Sequence, residues 1–340
     1  MDEALFTNSS RAKFLSCQKS YEYRYERGLV SIDERDVLTF GSLIHRCLEL
    51  WHGAGGTLDG VLQLIDQEYP DAAQYEQQRH MVAHARAMMT AYSEAYPHDP
   101  WDIIGLEMGF RSKIIEPTTG RAVSRAYFAG QVDGVVRFFA GENGGLCLLE
   151  HKTVGRIDQT YLDRLWHAPQ TILYQEYMSR KLCAPVTSIV YNLLNSNLSA
   201  KQHVGETEAE FEERRAAAQS KNKSGKTTAA RRLPETGEEF SARLLDLYRR
   251  PGTFQRHEIQ IEQQIREQTL SDLVETVHQY RHVKKRGRFL RNRAQCRFGY
   301  WNCEYLPVCS AAPEDEEYMI GLCCKHKAPH SELRPPVVVR

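Results

Sequence analysis

Hydrophobic and polar positions alternate most regularly from Phe128 to Phe139, and that period of two predicts a β-strand. A short apolar run from Gly144 to Lys152 predicts a second, more deeply buried one. Between them Ala140-Gly141-Glu142-Asn143-Gly144-Gly145 has the residues that tolerate positive φ in tight connections, so the two strands are expected to form a hairpin. The polar interruptions carry the information. Asp133 breaks the first strand, and Glu150-His151-Lys152 closes the second directly after Leu146-Cys147-Leu148-Leu149. Residues two apart in a strand share a face, so Glu150 and Lys152 lie side by side, and pairing brings Asp133 to the same place.

Helical periodicity brackets this pair. Asn8 or Ser9 caps a helix running to about Arg27, with Phe14, Cys17, Tyr21 and Tyr25 on one inward face and Gly28 as the stop. Thr39 to His52 is a second helix, with Leu43, Cys47, Leu50 and Trp51 on its apolar face and His45 off it; Cys47 and His52 read as structural. Two more helices fall between Thr57 and Tyr96, and Pro97 and Pro100 end them before a strand from Ile103 to Ile115. Glu107 in that strand could add an outer carboxylate to the site, though it reads first as a surface residue. Tyr161 to Leu182 is helical, with Pro169 kinking it or marking its true start, and Gln170 and Tyr174 one turn apart on one face. Pro185 to Leu194 is a β-branched strand. Lys201 to Glu239 is polar and predicts an exposed insertion or mobile loop. Beyond it, helices are expected at Phe240–Tyr248 and Leu270–Lys285, with a strand near Glu258–Ile265.

Composition narrows the class. The 340 residues are 41% hydrophobic, enough for a substantial core, and no apolar run reaches the length of a membrane span, so no membrane partner is expected. The start, MDEALFTNSS, lacks the charged and apolar regions of a signal peptide, and the expectation is a cytoplasmic protein. Net charge is +0, so a nucleic-acid partner would have to be met by a local patch. One is available: seven cations between Arg281 and Arg293, with Phe289 among them, suit a surface that tracks phosphates. Nine cysteines without a secretory signal argue for reduced thiols, some of them metal ligands.

Two carboxylates and an ammonium at the end of an apolar strand are costly to desolvate without a task, and a divalent cation supplies one. Asp133 and Glu150 can hold Mg²⁺ or Mn²⁺, and Lys152 can orient a water or stabilise a phosphate. Ser224-Gly225-Lys226-Thr227 hints at a nucleotide loop, but Ser220 stands where a glycine is required and no apolar strand leads in, so ATP binding is rejected.

Four motifs in order are Gly41-Ser42-Leu43-Ile44-His45, Gly130-Gln131-Val132-Asp133, Glu150-His151-Lys152 and Gln170-Thr171-Ile172-Leu173-Tyr174. Together they resemble the PD-(D/E)XK nuclease superfamily, and within it the RecB-like exonuclease branch with its CRISPR-associated and phage members. The resemblance implies an α/β fold with a restriction-endonuclease-like core, a central mixed β-sheet flanked by helices. It implies metal-dependent hydrolysis of DNA phosphodiesters, at ends or in single strands. His45, Asp133, Glu150 and the carbonyl of His151 would hold the metal, Lys152 would position the nucleophilic water, and Gln170 and Tyr174 would face the site. Phage members of this type often act beside a single-strand annealing protein, so a role in DNA recombination or repair is expected.

The same resemblance bears on Cys296, Cys303 and Cys309, which lie within fourteen residues among Tyr300, Trp301, Tyr305 and Pro307. In iron–sulfur members one cysteine precedes the nuclease motifs and three follow, which implies that Cys17, Cys296, Cys303 and Cys309 bind a [4Fe–4S] cluster joining the N-terminal helix to the C-terminal loop. The spacing from Cys303 to Cys309 matches that pattern, whereas the one from Cys296 to Cys303 is longer. Cys323, Cys324 and His326 offer a competing Zn²⁺ arrangement. The implied organisation is one nuclease domain over 1–340: a helical part to 100, a catalytic core over 101–200, a polar insertion over 201–239, a helical and Cys-rich part over 240–310, and a tail over 311–340. The rival reading is a non-catalytic or zinc-stabilised DNA-binding or assembly factor.

Overall fold

A computed structural model of the protein describes residues 3–32, 36–138, 145–221, 230–298, 301–331 and 333. The chain begins β1 (Ala4–Phe6), α1 (Asn8–Ser16), α2 (Gln18–Tyr21), a π-helical turn at Glu22–Glu26, β2 (Leu29–Ser31), α3 (Asp36–His52), α4 (Leu58–Glu68) and α5 (Glu76–Ala95). The middle is β3 (Trp101–Ile115), β4 (Ala122–Phe138), β5 (Leu146–Val154), α6 (Gln159–Leu165), α7 (Pro169–Leu182) and β6 (Val186–Asn195). There follow α8 (Glu208–Lys221), α9 (Gly237–Tyr248), β7 (Phe254–Ile259) and α10 (Gln263–Arg286). The last part holds β8 (Arg297–Phe298), β9 (Trp301–Asn302), α11 (Leu306–Ser310), α12 (Glu316–Cys323) and β10 (Cys324–His326).

The sheet is mixed and ordered β1-β4-β5-β6-β7, with β3 on the other edge of β4. The pair read from the alternation is antiparallel, with Gly134 opposite Leu149 and Arg137 opposite Leu146. β5 and β6 are parallel, so the chain must cross over between them, and α6 and α7 make that crossover. Alternation then sorts the two faces. Leu146, Leu148, Ile189, Tyr191 and Leu193 join a core with Ile172, Leu173 and Tyr177 of α7 and Leu273, Val274 and Val277 of α10. On the opposite face Cys147, Leu149 and Val190 pack with Trp101, while Leu194 joins a second core built by α3, α4, α5 and α9. The α/β fold with a central mixed sheet flanked by helices is therefore present.

Several element boundaries differ from the sequence reading. The first helix starts one residue earlier, on a capping box between Thr7 and Ser10. It also breaks at Cys17, which is extended at φ −158° and ψ 111° and redirects the Lys19 amide to Leu290 O at 3.0 Å. On α3 the buried positions are Phe40, Leu43, Ile44, Cys47, Leu48 and His52, and Leu50 is exposed. Pro169 is the first residue of α7, so the predicted helix over Tyr161–Leu182 is two. The strand expected near Glu258–Ile265 lies earlier, at Phe254–Ile259, because its register is set by pairing with Ile189–Leu194. Within the 201–239 segment α8 forms, and ion pairs from Arg214 to Glu206 and Arg231 to Glu208 fasten it to flanking backbone. The Ser224–Thr227 motif, Tyr300, most of the Ala140–Gly145 turn, and residues 332 and 334–340 of the C-terminal tail lie outside the described residues. Among the described residues no helix is long and apolar enough to cross a membrane.

Candidate active site

Register places the candidate residues. With Gly134 opposite Leu149, the next positions outward are Asp133 on β4 and Glu150 on β5. Here the strands separate, and the His151 N–H donates to Asp133 Oδ2 at 2.7 Å instead of making a ladder bond. From the other side His45 of α3 brings Nδ1 to 3.3 Å from Asp133 Oδ1. α3 approaches β5 closely here, since a Cβ on Gly41 would lie 3.2 Å from Thr153 Oγ1. The first glycine of the four motifs is thus a spacing device for the helix that carries His45.

Lys152 and Glu150 share a face of β5, as the alternation requires, and Lys152 Nζ lies 2.5 Å from Glu150 Oε1. Gln170, second residue of α7, ties them together: its Nε2 donates to Glu150 Oε1 at 3.0 Å and its Oε1 accepts from Lys152 Nζ at 3.3 Å. The Glu150 side chain is almost fully buried, whereas that of Lys152 keeps about a third of its surface open. The site therefore has a closed carboxylate floor and an ammonium at its mouth.

The charges are unevenly satisfied. Burial works to raise the Asp133 pKa, but His45 and the His151 amide outweigh it and hold the carboxyl at about 2. Glu150 moves the other way: burial and the neighbouring Asp133 raise it, and Lys152 only partly offsets them. Burial would lower the pKa of Lys152, yet Glu150 and Asp133 raise it, so it stays charged. Two converging carboxylates are matched by one ammonium and one imidazole, and a hard divalent cation fits that donor set in charge and in kind.

Tyr174 is placed otherwise than the motif implied. Its ring is buried against Phe110, at 5.4 Å between centroids, and against Phe128. Sequence reasoning also undervalued two residues. Glu107 has φ +48° and sits between Leu106 and Met108, which pair with Gly134 and Val132, so it lies across from Asp133. Gln131 Nε2 donates to Glu107 Oε2 at 2.6 Å, giving this edge a polar buttress. The signal for Glu107 was its position in a strand flanking a G-x-x-D strand, which spacing alone cannot resolve. The His151 imidazole, read only through its carbonyl, is buried on the opposite face of β5 from Glu150.

The cysteines behave as a separate group. Cys17 Sγ accepts the Asn292 N–H at 3.4 Å, Cys309 Sγ accepts from Arg291 Nε at 3.1 Å, and the Cys303 N–H donates to Cys296 O at 2.9 Å. The N-terminal helices and the C-terminal Cys-rich part are in contact through hydrogen bonds such as Asn292 to Cys17, through the Lys13–Glu304 ion pair and through the Tyr23–Tyr305 ring pair. None of the nine cysteines is joined in a disulfide. Among the described residues, no group of three or more His, Cys, Asp or Glu side chains is gathered in metal-holding geometry, here or at Asp133 and Glu150.

The basic run divides by use. Arg281 bonds Ser124 O, Lys284 pairs with Glu26, and Arg291 serves Cys309. Phe289 turns inward and stacks on Tyr21, so it is not a base-stacking platform. Lys285, Arg286, Arg288 and Arg293 are exposed. A groove of about 580 Å³ runs past Gln18, His278, His282, Arg286, Arg288 and Leu290.

Compared with known families, the chain is similar to the PD-(D/E)XK nuclease superfamily, which it matches over residues 6–310. No curated protein matches it.

Proposed function

The chain belongs to the PD-(D/E)XK nuclease superfamily, and from that premise we propose that it is a Mg²⁺- or Mn²⁺-dependent deoxyribonuclease of the RecB-like exonuclease type. The observation that carries this reading is the convergence of Asp133, Glu150 and Lys152 at the end of β5, with Gln170 bridging the last two. His45, Asp133, Glu150 and the carbonyl of His151 would hold the cation. Such an ion, when bound, supplies Lewis acidity toward a phosphate oxygen and a water. The chain's own work is to hold charge and geometry. The His151 amide fixes one oxygen of Asp133, which leaves the other to face His45. Gln170 fixes Glu150, and its carbonyl restrains the Lys152 ammonium. From its partly open position Lys152 can donate to an attacking water and attract a phosphate oxygen as charge builds on it. The exposed Lys285, Arg286, Arg288 and Arg293 would contact the strand's phosphates, an affinity that falls as salt rises.

The [4Fe–4S] reading is part of the same proposal. Cys17, Cys296, Cys303 and Cys309 would be the ligands, and the donors already aimed at the Cys17 and Cys309 sulfurs suit thiolates. A second reading, with zinc held partly by the tail, rests on Cys323 and Cys324 packing on the same small apolar cluster as Cys303 and Cys309. Metal analysis of purified protein separates the two. An exonuclease of this kind fits a role in DNA recombination or repair, in phage or bacterium, beside a single-strand annealing protein.

The deciding experiment digests end-labelled single- and double-stranded DNA with Mg²⁺ or Mn²⁺, with EDTA as control. Progressive, metal-dependent loss from an end is the expected result. No cleavage of either substrate with either ion would overturn the reading in favour of a non-catalytic DNA-binding factor.

A further inference from the structure

Behind the site lies a row of polar side chains running across three strands. His151 on β5 pairs with Asn192 on β6, and Asn192 with Arg256 on β7, so the three are cross-strand neighbours on one face. His151 and Asn192 are fully buried and Arg256 nearly so. A polar row in an otherwise apolar sheet is retained only if its groups find partners. Asn192 Nδ2 donates to His151 Nδ1 and to the Tyr92 hydroxyl, each at 2.9 Å. Arg256 donates to the same hydroxyl at 2.9 Å and to Asp99 Oδ1 at 2.7 Å. Asp99 Oδ2 then takes the Nδ1–H of His52 at 2.7 Å, leaving His52 Nε2 to accept from Tyr92, 3.4 Å away.

The network closes on His151 a second time. The His52 ring stacks on the His151 ring with centroids 5.3 Å apart and 6° between planes. His45, two turns earlier on α3, meets the same ring edge-on at 6.0 Å. The two α3 histidines therefore bracket one strand residue, and that residue's main chain is part of the candidate site: its N–H fixes Asp133, and its carbonyl would be a ligand of the proposed cation.

We propose that His52, held by Asp99 and Tyr92, is a positioning residue that sets the orientation of the His151 peptide and so of Asp133. This rests on the nuclease reading of the site. His52 touches no reacting atom; it acts by fixing a ring whose own backbone does. Outer partners of this kind commonly change metal affinity or turnover by about 10–100-fold when removed.

The test compares wild type, His52→Leu, which removes stack and hydrogen bonds, His52→Phe, which keeps a flat ring, and Asp99→Ala, which releases His52 from the sheet-edge side. Mn²⁺ affinity is measured by calorimetry without DNA, kcat and KM with DNA, and Tm for each. His52→Leu is expected to weaken Mn²⁺ binding and lower kcat by about tenfold or more with KM for DNA unchanged. His52→Phe should recover most of that loss, and Asp99→Ala should show the same split in smaller measure. If His52→Leu fails to fold, Asp99→Ala and His52→Phe carry the test. Unchanged Mn²⁺ affinity and kcat well below a lowered Tm would overturn the proposal and leave His52 a packing residue. Wild type that neither binds Mn²⁺ nor cuts DNA would sink the nuclease reading together with it, a distinguishable failure.

Discussion

A Cβ placed on Gly130 would lie 2.6 Å from Tyr174 Cε1, and 2.9 Å from Phe110 Cζ. Two residues that read from sequence as parts of separate motifs are thus one packing contact. The Tyr174 ring cannot swing aside easily, because Phe110 also stacks on Tyr177 at 5.6 Å and Phe128 closes the cluster. Gly130→Ala is therefore expected to cost about 1–3 kcal/mol of stability by overpacking. Adding Tyr174→Leu should make the pair less destabilising than the sum of the singles, as touching residues do. Urea titration of the four proteins checks this; additive costs would mean that the two side chains do not meet.

The catalytic assignment predicts a graded pattern. Asp133→Asn and Lys152→Ala should each lower cleavage by about 10²–10⁴-fold with the fold retained. Gln170→Ala should cost less, since it only restrains Glu150 and Lys152. Lys152→Ala leaves the Glu150 carboxylate buried without its cation, so its pKa should rise further and the protein lose some stability. Rates at saturating Mn²⁺ and circular dichroism of each variant decide it. Full activity in Lys152→Ala would remove that ammonium from the chemistry.

What sequence could and could not reveal follows from which relationships spacing encodes. Glu150 beside Lys152 needs only the period of a strand, and Asp133 opposite them needs only one hairpin. Gln170 was named only through the motif of the resembled family, and Pro169, read as a kink or a start, proves to be the first residue of α7. The row His151–Asn192–Arg256 was invisible because it depends on the register of three strands separated by helices. β7 was displaced for a related reason: FQRHEI pairs with a neighbour on one edge only, among the described residues, and shows little apolar alternation. The helix break at Cys17 was hidden, since the aromatic periodicity runs straight through it.

Acid should weaken the second core through His84. It is buried, with Nδ1 2.6 Å from the Tyr248 hydroxyl and Nε2 2.8 Å from Ala200 O. Burial lowers its pKa from 6.5 to about 4; the bond to the Ala200 carbonyl works against this, and the charges of His80 and Arg243 add to it. The unfolded chain then takes up a proton before the folded one does. Stability due to this group is whole above about pH 6.5, falls as pH drops, and is lost below about 4, a change of about 3 kcal/mol. His84→Gln should be less stable than wild type at pH 8 and nearer to it at pH 4. A constant difference between the two across that window would show that His84 titrates normally.

The cysteine assignment makes the sharpest demand on the chain's ends. Cys17 lies in an extended break between two helices, and Asn292 approaches it from the far end of the sequence, donating one amide to its sulfur and another to Ser16 O. An ion shared by Cys17 and the 296–309 loop would close almost the whole chain into one ring, and so would restrain the unfolded state strongly. Cys17→Ser, Cys296→Ser, Cys303→Ser and Cys309→Ser should each lose iron and lower the Tm, while Cys183→Ser, at an exposed helix end, should do neither. Lys152→Ala should show the reverse pattern, with iron kept and cleavage lost. Iron per chain and thermal midpoints measured together decide between the arrangements. If Cys17→Ser keeps its iron, the N-terminal segment is held without a shared ion. If Cys296→Ser keeps it while Cys323→Ser or Cys324→Ser loses it, the tail is the source of the fourth ligand, as its packing beside Cys303 and Cys309 allows.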